Sequence, residues 1–198
     1  MNPFEIWWQW YVWFMSSVLQ PDEVRALRNC QNANKTRLDR IEKALRDDAM
    51  TLHEFIEADE GRRAKMYHCT GKKRTIGIGH NMDANPLPPD IQNYLTKYGY
   101  ITEDMIDRLF DIDVRHATAD CKVLFPAFDT FTEARQWALI SFVFQLGFTG
   151  AKKFIRSLRA INEARWADAA RYMMESEWSR QTPNRAKKIT RIIKTGEL

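Results

Sequence analysis

The sequence predicts an α+β protein in which a small lobe built on a β-hairpin joins a larger, all-helical lobe, with a helical extension in front of both. Two short β-prone runs, residues 66–69 and 74–79, flank a turn that contains Gly71, a pattern typical of a hairpin. From Thr102 onward, apolar residues recur at helical spacing almost to the C-terminus. The polar, helix-prone stretch 22–48 supplies the extension.

The first 20 residues form a Trp-rich segment, and we expect it to anchor or dock the protein. Residues 6–20 form an uncharged run of 15 residues. As a helix this run would span roughly 22 Å, which is short for a bilayer core of about 30 Å. Clustered tryptophans favour an interface, either membrane headgroups or an apolar groove on a partner. A membrane-spanning helix and packing onto the protein's own core remain alternatives.

Residues 21–50 are predicted to form a helical connector. Pro21 ends the Trp-rich segment. Leu38, Ile41 and Leu45 then form a narrow apolar stripe among charged residues, as in a connecting helix or a short coiled coil.

Residues 51–198 are predicted to form the globular domain. Thr51 and Glu54 have the spacing of a capping box, and Gly61 can end the helix that this box begins. The run 132–146 is apolar on most sides, which indicates a buried core helix with Gly147 after it. The remaining predicted features are a cap at Thr102, a loop over 86–89, helices around 154–161 and 166–173, and a last helix capped by Thr182, with Pro183 at its first position, and closed by Gly196.

Charge and cysteine content exclude some classes of function. Residues 151–198 contain 12 Lys or Arg against 5 Asp or Glu, so they carry +7 while the first 150 residues carry −3. Such a surface attracts polyanions such as nucleic acid or an anionic cell envelope, but a solvated helical surface would show the same charges. Cys30, Cys69 and Cys121 form an odd set without short spacing, which predicts neither a disulfide framework nor a metal site. Free thiols fit synthesis in a cytoplasm.

Glu60 is a candidate proton donor at the edge of the apolar face of the helix that begins at Thr51. A carboxyl group beside an apolar surface loses solvation, and this favours the neutral form that can donate a proton. Position alone favours a surface glutamate paired with Arg62 or Arg63. The residues that flank the hairpin turn, Cys69 and Thr75, could by position alone be a buried small residue and an ordinary strand threonine.

Residues 59–80 closely resemble the active-site helix and hairpin of the T4-type phage lysozymes, glycoside hydrolase family 24. That family's motif is a Glu, eight residues, an Asp or Cys, five residues and a Thr, and Glu60, Cys69 and Thr75 match this spacing. The resemblance extends over about residues 51–196, whereas residues 1–50 have no counterpart in the free lysozymes. Further matching segments are 75–80 (TIGIGH), 144–147 (FQLG), 149–150, 154–159, 166–170 and 181–187 (QTPNRAK).

The resemblance implies a two-lobed lysozyme fold with a cleft that binds peptidoglycan, without metal or cofactor. The implied reaction hydrolyses the β-1,4 bond between N-acetylmuramic acid and N-acetylglucosamine. Glu60 would protonate the leaving oxygen, and Thr75 would hold the attacking water. Cys69 stands where T4 lysozyme has Asp, and it would act either as a water-orienting group or, as a thiolate, as the nucleophile. The implied glycan contacts are Phe144, Gln145 and Ser157; the implied structural polar groups are His80 and Arg185; the departures from the T4 pattern are Asn81 and Tyr172.

Several alternatives concern where the protein acts, how it is attached and which other function it could have. It would be made in the host cytoplasm and act on cell-wall peptidoglycan in the periplasm, either carried in the virion or tethered to a membrane through residues 4–20. A virion structural or wall-binding component with a lysozyme fold is one rival. A lytic transglycosylase, which needs only the acidic Glu60, is another. A nucleic-acid binder is the least favoured, because an anionic cell wall suits the basic segment.

Overall fold

The computed structural model describes residue 25 and residues 28–38, 50–68 and 72–198. The chain divides into two compact units, residues 1–50 and 51–198. In the first unit, residues 28–38 are helical and exposed, including Leu38 at 59% exposure. The Trp-rich segment, Ile41 and Leu45 lie outside the described residues, so the predictions made for them stay predictions.

The second unit consists of a first helix, a small three-stranded sheet and a long series of helices. Its elements, in chain order, are helix α1 (Leu52–Glu60), strands β1 (Arg63–His68), β2 (Arg74–Gly77) and β3 (His80–Asn81), helices α2 (Pro89–Tyr98) and α3 (Glu103–Leu124), a 3₁₀ turn (Phe128–Thr130), and helices α4 (Glu133–Ala151), α5 (Ile155–Asn162), α6 (Trp166–Met174), α7 (Glu177–Gln181) and α8 (Pro183–Thr195). This arrangement confirms the predicted α+β class with a small sheet and a larger helical part.

Helix α1 begins with the predicted capping box. The backbone N–H of Glu54 donates to the Thr51 hydroxyl at 3.2 Å, and the backbone N–H of Thr51 donates to the Glu54 carboxylate at 2.7 Å. Gly61 follows the helix with a φ of +74°, and its N–H donates to the Glu57 carbonyl. The positive φ, which glycine adopts without strain, ends the helix directly after Glu60.

The predicted hairpin is confirmed and carries an additional strand. Strands β1 and β2 pair antiparallel, with His68 opposite Arg74 and Arg63 opposite Gly77. The unanticipated strand β3 pairs with β2 on its other side, so the order is β1-β2-β3. Residues 69–71 of the hairpin turn, which include Cys69, lie outside the described residues.

Helix α4 is the predicted core helix. Gly147 interrupts it with a non-helical backbone (φ +67°, ψ 166°), where the sequence predicts the end of the helix, and a short helical stretch then continues to Ala151. Within the described residues, no single helix is long and apolar enough to cross a membrane, although α4 and α5 together, bent by 120°, reach that length and composition. The buried residues of α4 are Ala134, Ala138, Leu139, Ile140, Ser141, Phe142, Val143 and Ala151.

Helix α8 shows one correction to the predicted caps. Pro183 occupies the first turn and Gly196 ends the helix in the left-handed conformation (φ +82°), as predicted. Thr182, however, does not cap α8 with its side chain; its hydroxyl donates to the Trp178 carbonyl at 3.0 Å. The physical reason is that Thr182 also closes α7, whose last turn leaves that carbonyl to be satisfied.

Helix α3 links the sheet to the helical core, because it contacts β2 and β3 and also packs against α4. Helix α8 packs against both α4 and α6. Apolar side chains from all these elements join one continuous core. The largest buried side chains are Phe125, Phe142, Ile56, Ile76, Ile78, Ile91, Ile101, Ile106, Leu109, Leu139, Ile161 and Met173.

Candidate active site

Glu60, the last residue of α1, forms an ion pair with the far end of the chain. The Nη1 of Arg185, on α8, donates to Oε1 of Glu60 at 2.5 Å. The Glu60 side chain is 17% exposed and the Arg185 side chain 7%. The alternative interpretation of Glu60 as a surface residue paired with Arg62 or Arg63 is therefore wrong. Arg62 instead bonds to Glu57, Glu103 and Asp107, and Arg63 lies over the ring of Tyr67.

Arg185 is itself fixed by the core helix. Its Nη2 donates to both the carbonyl and the hydroxyl oxygen of Ser141 on α4, each at 3.0 Å. Its Nε lies 3.9 Å from the Asp59 carboxylate, too far for a hydrogen bond, and Asp59 bonds instead to Lys188 at 2.9 Å. Helices α1, α4 and α8 therefore meet at the guanidinium group, which holds one of the two Glu60 carboxyl oxygens in place.

The second carboxyl oxygen of Glu60 faces the turn between β2 and β3. A Cβ atom at Gly79 would lie 3.0 Å from Oε2 of Glu60 and 3.4 Å from Cε1 of Phe144. Gly79 also has a φ of +73°, which disfavours any residue with a side chain. Glycine thus permits the backbone of the turn to approach both side chains. The ring of Phe144 packs edge-on against Phe110, with centroids 5.6 Å apart.

A cavity of about 410 Å³ opens beside this contact, and two of the predicted glycan-contact residues line it. Gly79, Phe144 and Gln145 all contribute to its wall. The Gln145 Oε1 accepts a hydrogen bond from Nε1 of Trp178 at 2.7 Å, which orients the amide and leaves its Nε2 hydrogens to donate to a ligand. Phe144 and Gln145 are therefore placed together with Glu60 at one site.

Thr75 lies in the central strand β2, buried, opposite Asn81 of β3. Its hydroxyl donates to the Lys73 carbonyl at 3.1 Å and keeps its lone pairs for accepting a hydrogen bond. Thr75 is not among the residues that line the cavity beside Gly79. Cys69 lies outside the described residues, so the geometry of the three-residue motif as a whole stays a prediction.

Ser157 lines a second cavity, of about 810 Å³. Leu146 contributes to the walls of both cavities, so the two are neighbours. Tyr172, one of the departures from the T4 pattern, lines this second cavity. The guanidinium carbons of Arg156 and Arg171 lie 3.9 and 4.4 Å from the centroid of its ring. Hydrogen bonds from Arg156 and then Arg171 lower the pKa of Tyr172 from its usual range. The structure thus places Ser157 in the cavity next to the one that Gly79, Phe144 and Gln145 line.

His80 is a buried polar group of the sheet region. Its Nδ1 lies 2.7 Å from the Asp113 carboxylate on α3, and its Nε2 lies 3.0 Å from the Asn85 carbonyl. The side chain is 3% exposed, so both ring nitrogens depend on these two partners. His80 therefore ties the β3 turn to α3.

A small antiparallel sheet joined to a helical lobe, with a partly buried carboxyl group beside a polar cavity, defines the class of lysozyme-like glycosidases. Residues 57–192 match the phage lysozyme family. The chain is 31% and 29% identical to probable T4-type lysozymes 1 and 2 of Dictyostelium discoideum, over alignments that cover 75% of this chain and 96% of each relative. It is 33% identical to the pre-baseplate central spike protein Gp5 of Enterobacteria phage T4, over 75% of this chain but 28% of that protein.

The chain therefore belongs to the phage lysozyme family, as the resemblance of its motifs indicated. It is a muramidase that hydrolyses peptidoglycan, and the predicted enzyme class is confirmed. The contacts that sequence reasoning missed are those of Gly79 and Arg185 with Glu60. Gly79 lies within the TIGIGH segment and Arg185 within the QTPNRAK segment, and the resemblance implied that Arg185 is a structural polar group near the site. Spacing and composition, however, do not pair either residue with the Glu60 carboxyl group.

Proposed function

We propose that this muramidase uses Glu60 as the general acid that cleaves the β-1,4 bond between N-acetylmuramic acid and N-acetylglucosamine. The observation that carries the proposal is the unequal environment of the two carboxyl oxygens. Arg185 holds Oε1, whereas Oε2 approaches Gly79, a residue of the cavity wall. Oε2 of a protonated Glu60 then gives its proton to the glycosidic oxygen as the bond from that oxygen to the anomeric carbon breaks.

A water molecule completes the reaction from the opposite face of the sugar. In this proposal the Thr75 hydroxyl accepts a hydrogen bond from the water, and Cys69 orients it. The oxygen of the water bonds to the anomeric carbon, and the proton that the water loses passes to the thiolate form of Cys69. In an inverting enzyme the two catalytic groups stand roughly 6.5–9.5 Å apart to leave room for this water. A thiolate at Cys69 that attacks the sugar directly is the alternative, and the basic sequence neighbours Lys72, Lys73 and Arg74 favour a thiolate.

The glycan is proposed to bind along the cavity wall. Phe144 offers an apolar ring and Gln145 an oriented amide, and both line the cavity together with Gly79, which contacts Glu60. Ser157 would contact substrate that continues past Leu146 into the second cavity. The combination of an apolar surface with a few oriented polar groups is usual for ligand sites.

Product analysis tests the proposed reaction against lytic transglycosylation. Purified peptidoglycan is digested with the wild type and with Glu60→Gln, and the soluble fragments are separated by mass. A lysozyme leaves reducing ends, and Glu60→Gln should release none above background. Fragments that end in a 1,6-anhydro sugar would establish the transglycosylase instead.

We further propose that residues 4–20 attach the enzyme to a larger structure, in the first instance the virion. The support is the uncharged, Trp-rich composition of the segment, together with the similarity to a phage protein whose name describes a central spike of the pre-baseplate. Attachment to a host membrane is the alternative. Retention of Glu60 and Thr75 argues against a purely structural virion component. Immunodetection of the full-length chain in purified virions, in host membranes and in the soluble fraction distinguishes the two forms of attachment from a free enzyme.

A further inference from the structure

The cavity beside Gly79 continues along one face of α3. Asp113, His116, Ala117 and Asp120 line it, at the i, i+3, i+4 and i+7 positions that share a helix face. At a rise of 1.5 Å per residue, Asp120 lies about 10.5 Å farther along the helix than Asp113. The Asp113 carboxylate already has a partner, because it lies 2.7 Å from Nδ1 of His80, which follows Gly79 in the active-site turn. Asp120 therefore lies toward the end of the cavity that is remote from Glu60.

Asp120 differs from the other acidic residue of this wall because it has no hydrogen bond or ion pair with any residue that the structure describes. Its side chain is partly buried, and loss of solvation raises its pKa, while the neighbouring His116 acts in the opposite direction. A partly desolvated carboxyl group without a protein partner is satisfied only by water or by a ligand. Because it faces a cavity on the substrate side, a ligand can reach it.

Asn81, which lines the same cavity, offers hydrogen-bond donors. The Asn81 Oδ1 accepts from the backbone N–H groups of Asp83 and Ala84, which leaves the Asn81 Nδ2 hydrogens available. A ligand here must donate to the carboxyl group and can accept from the Asn81 amide. An acetamido sugar has both functions, whereas a second anion would be repelled by Asp120.

We propose that Asp120 and His116 form an additional saccharide subsite. This subsite lies about 10.5 Å along α3 from Asp113 and therefore away from the bond that is cleaved. In this subsite Asp120 accepts a hydrogen bond from a hydroxyl or acetamido N–H of the glycan. The proposal rests on the proposed role of Glu60, because that role places the cleaved bond at the other end of the cavity. The subsite makes binding depend on glycan length.

The test measures binding of peptide-free N-acetylglucosamine oligomers by titration calorimetry, in full-length protein that carries Glu60→Gln to prevent turnover. Asp120→Ala should weaken binding of the hexasaccharide about tenfold, because a change of this size corresponds to the loss of one hydrogen bond to a charged group. Binding of the disaccharide should change by less than about twofold, because it does not need the distant subsite. His116→Ala should show the same length dependence. The matched control is Asp104→Ala, an exposed aspartate in the first turn of the same helix.

Equal hexasaccharide affinity of the proteins with and without Asp120 would overturn the proposal. An equal loss of affinity for the disaccharide and the hexasaccharide would also overturn it, because it would indicate general damage to the protein. An effect confined to peptide-bearing glycan fragments would also overturn it, because the ligand would then be a peptide group. Asp120→Asn, which keeps the shape and an oxygen acceptor, should retain most of the affinity. Cleavage of the oligomers by the Glu60→Gln protein would refute the role of Glu60 separately, without reference to Asp120.

Discussion

Arg185 donates a hydrogen bond to Oε1 of Glu60 at 2.5 Å, although 125 positions separate the two residues in the chain. The last helix of the protein thus determines which oxygen of the proposed general acid faces the substrate. Burial of both side chains makes the pair sensitive to the loss of either partner.

Arg185→Met should lower kcat strongly while KM changes little, because the Glu60 carboxyl group loses its orientation and the cavity wall stays in place. The free energy of unfolding should fall by about 2–4 kcal/mol, since Glu60 and the Ser141 oxygens lose their partner. Arg185→Lys keeps the positive charge but lacks the two donor groups of a guanidinium. Its kcat and free energy of unfolding should therefore lie between those of the wild type and Arg185→Met. Steady-state kinetics and thermal unfolding are measured together. The control, Arg191→Met on an exposed position of α8, should change neither.

Glu60→Gln should reduce peptidoglycan hydrolysis about 10³-fold, the usual contribution of general acid catalysis, and leave the fold intact. The amide keeps the shape of the carboxyl group but has no acidic proton to give. Turbidity loss of purified cell walls measures the rate. Glu57→Gln, one turn earlier on the same helix and bonded to the surface residue Arg62, is the matched control. Clearing by Glu60→Gln at near the wild-type rate would contradict the assignment.

Gly79→Ala should impair both stability and activity. The added methyl group meets Oε2 of Glu60 at 3.0 Å, and the φ of +73° is unfavourable for alanine by about 1–2 kcal/mol. Gly99 provides the matched comparison, because its φ is +77° and no atom lies within 4 Å of the position that a Cβ would take. Gly99→Ala therefore introduces a similar backbone strain without the contact, and it should lose stability alone. Equal activity of the two variants in a folded state would show that the contact with Glu60 is unimportant.

The features that could be predicted from the sequence are local. The Thr51–Glu54 capping box and the hairpin depend on residues within a few positions of one another. Helix α2 could not be predicted in this way, because Ile91 is its only buried residue and its apolar periodicity is too weak to detect. The pair of Glu60 and Arg185 could not be inferred from spacing, because it depends on how α1 and α8 pack in three dimensions.

Removal of residues 1–20 should raise solubility and leave hydrolysis of isolated peptidoglycan nearly unchanged. The described active-site residues all lie beyond Thr51, whereas the removed segment is an uncharged, Trp-rich docking surface by composition. The comparison uses sedimentation of the two proteins and their rates on purified cell walls. A truncated protein that does not fold would mean that the tryptophans belong to the core. A truncated protein that still associates with virions would mean that another surface attaches the enzyme.

The last prediction concerns Cys69, which we expect to be required but replaceable by Asp. Cys69→Ala should lose most activity, because the Asp/Cys position of the motif then has no group to orient the water. Cys69→Asp should retain a large share, since a carboxylate stays charged at every pH above about 4. If the thiolate is the active form, wild-type activity should climb as the pH approaches about 8.5, the usual value for a thiol, and Cys69→Asp should not show this climb.

Thiol alkylation provides an independent test, because the other two cysteines differ in accessibility. Cys121 is fully buried, and burial raises the pKa of its thiol, so it should not react. Cys30 is exposed and is therefore replaced by Ser in both proteins that are compared. Iodoacetamide should then inactivate the Cys30→Ser protein and spare Cys30→Ser with Cys69→Asp. Full activity of Cys69→Ala would show that Cys69 only packs against its neighbours and that Glu60 and Thr75 are sufficient as the catalytic groups.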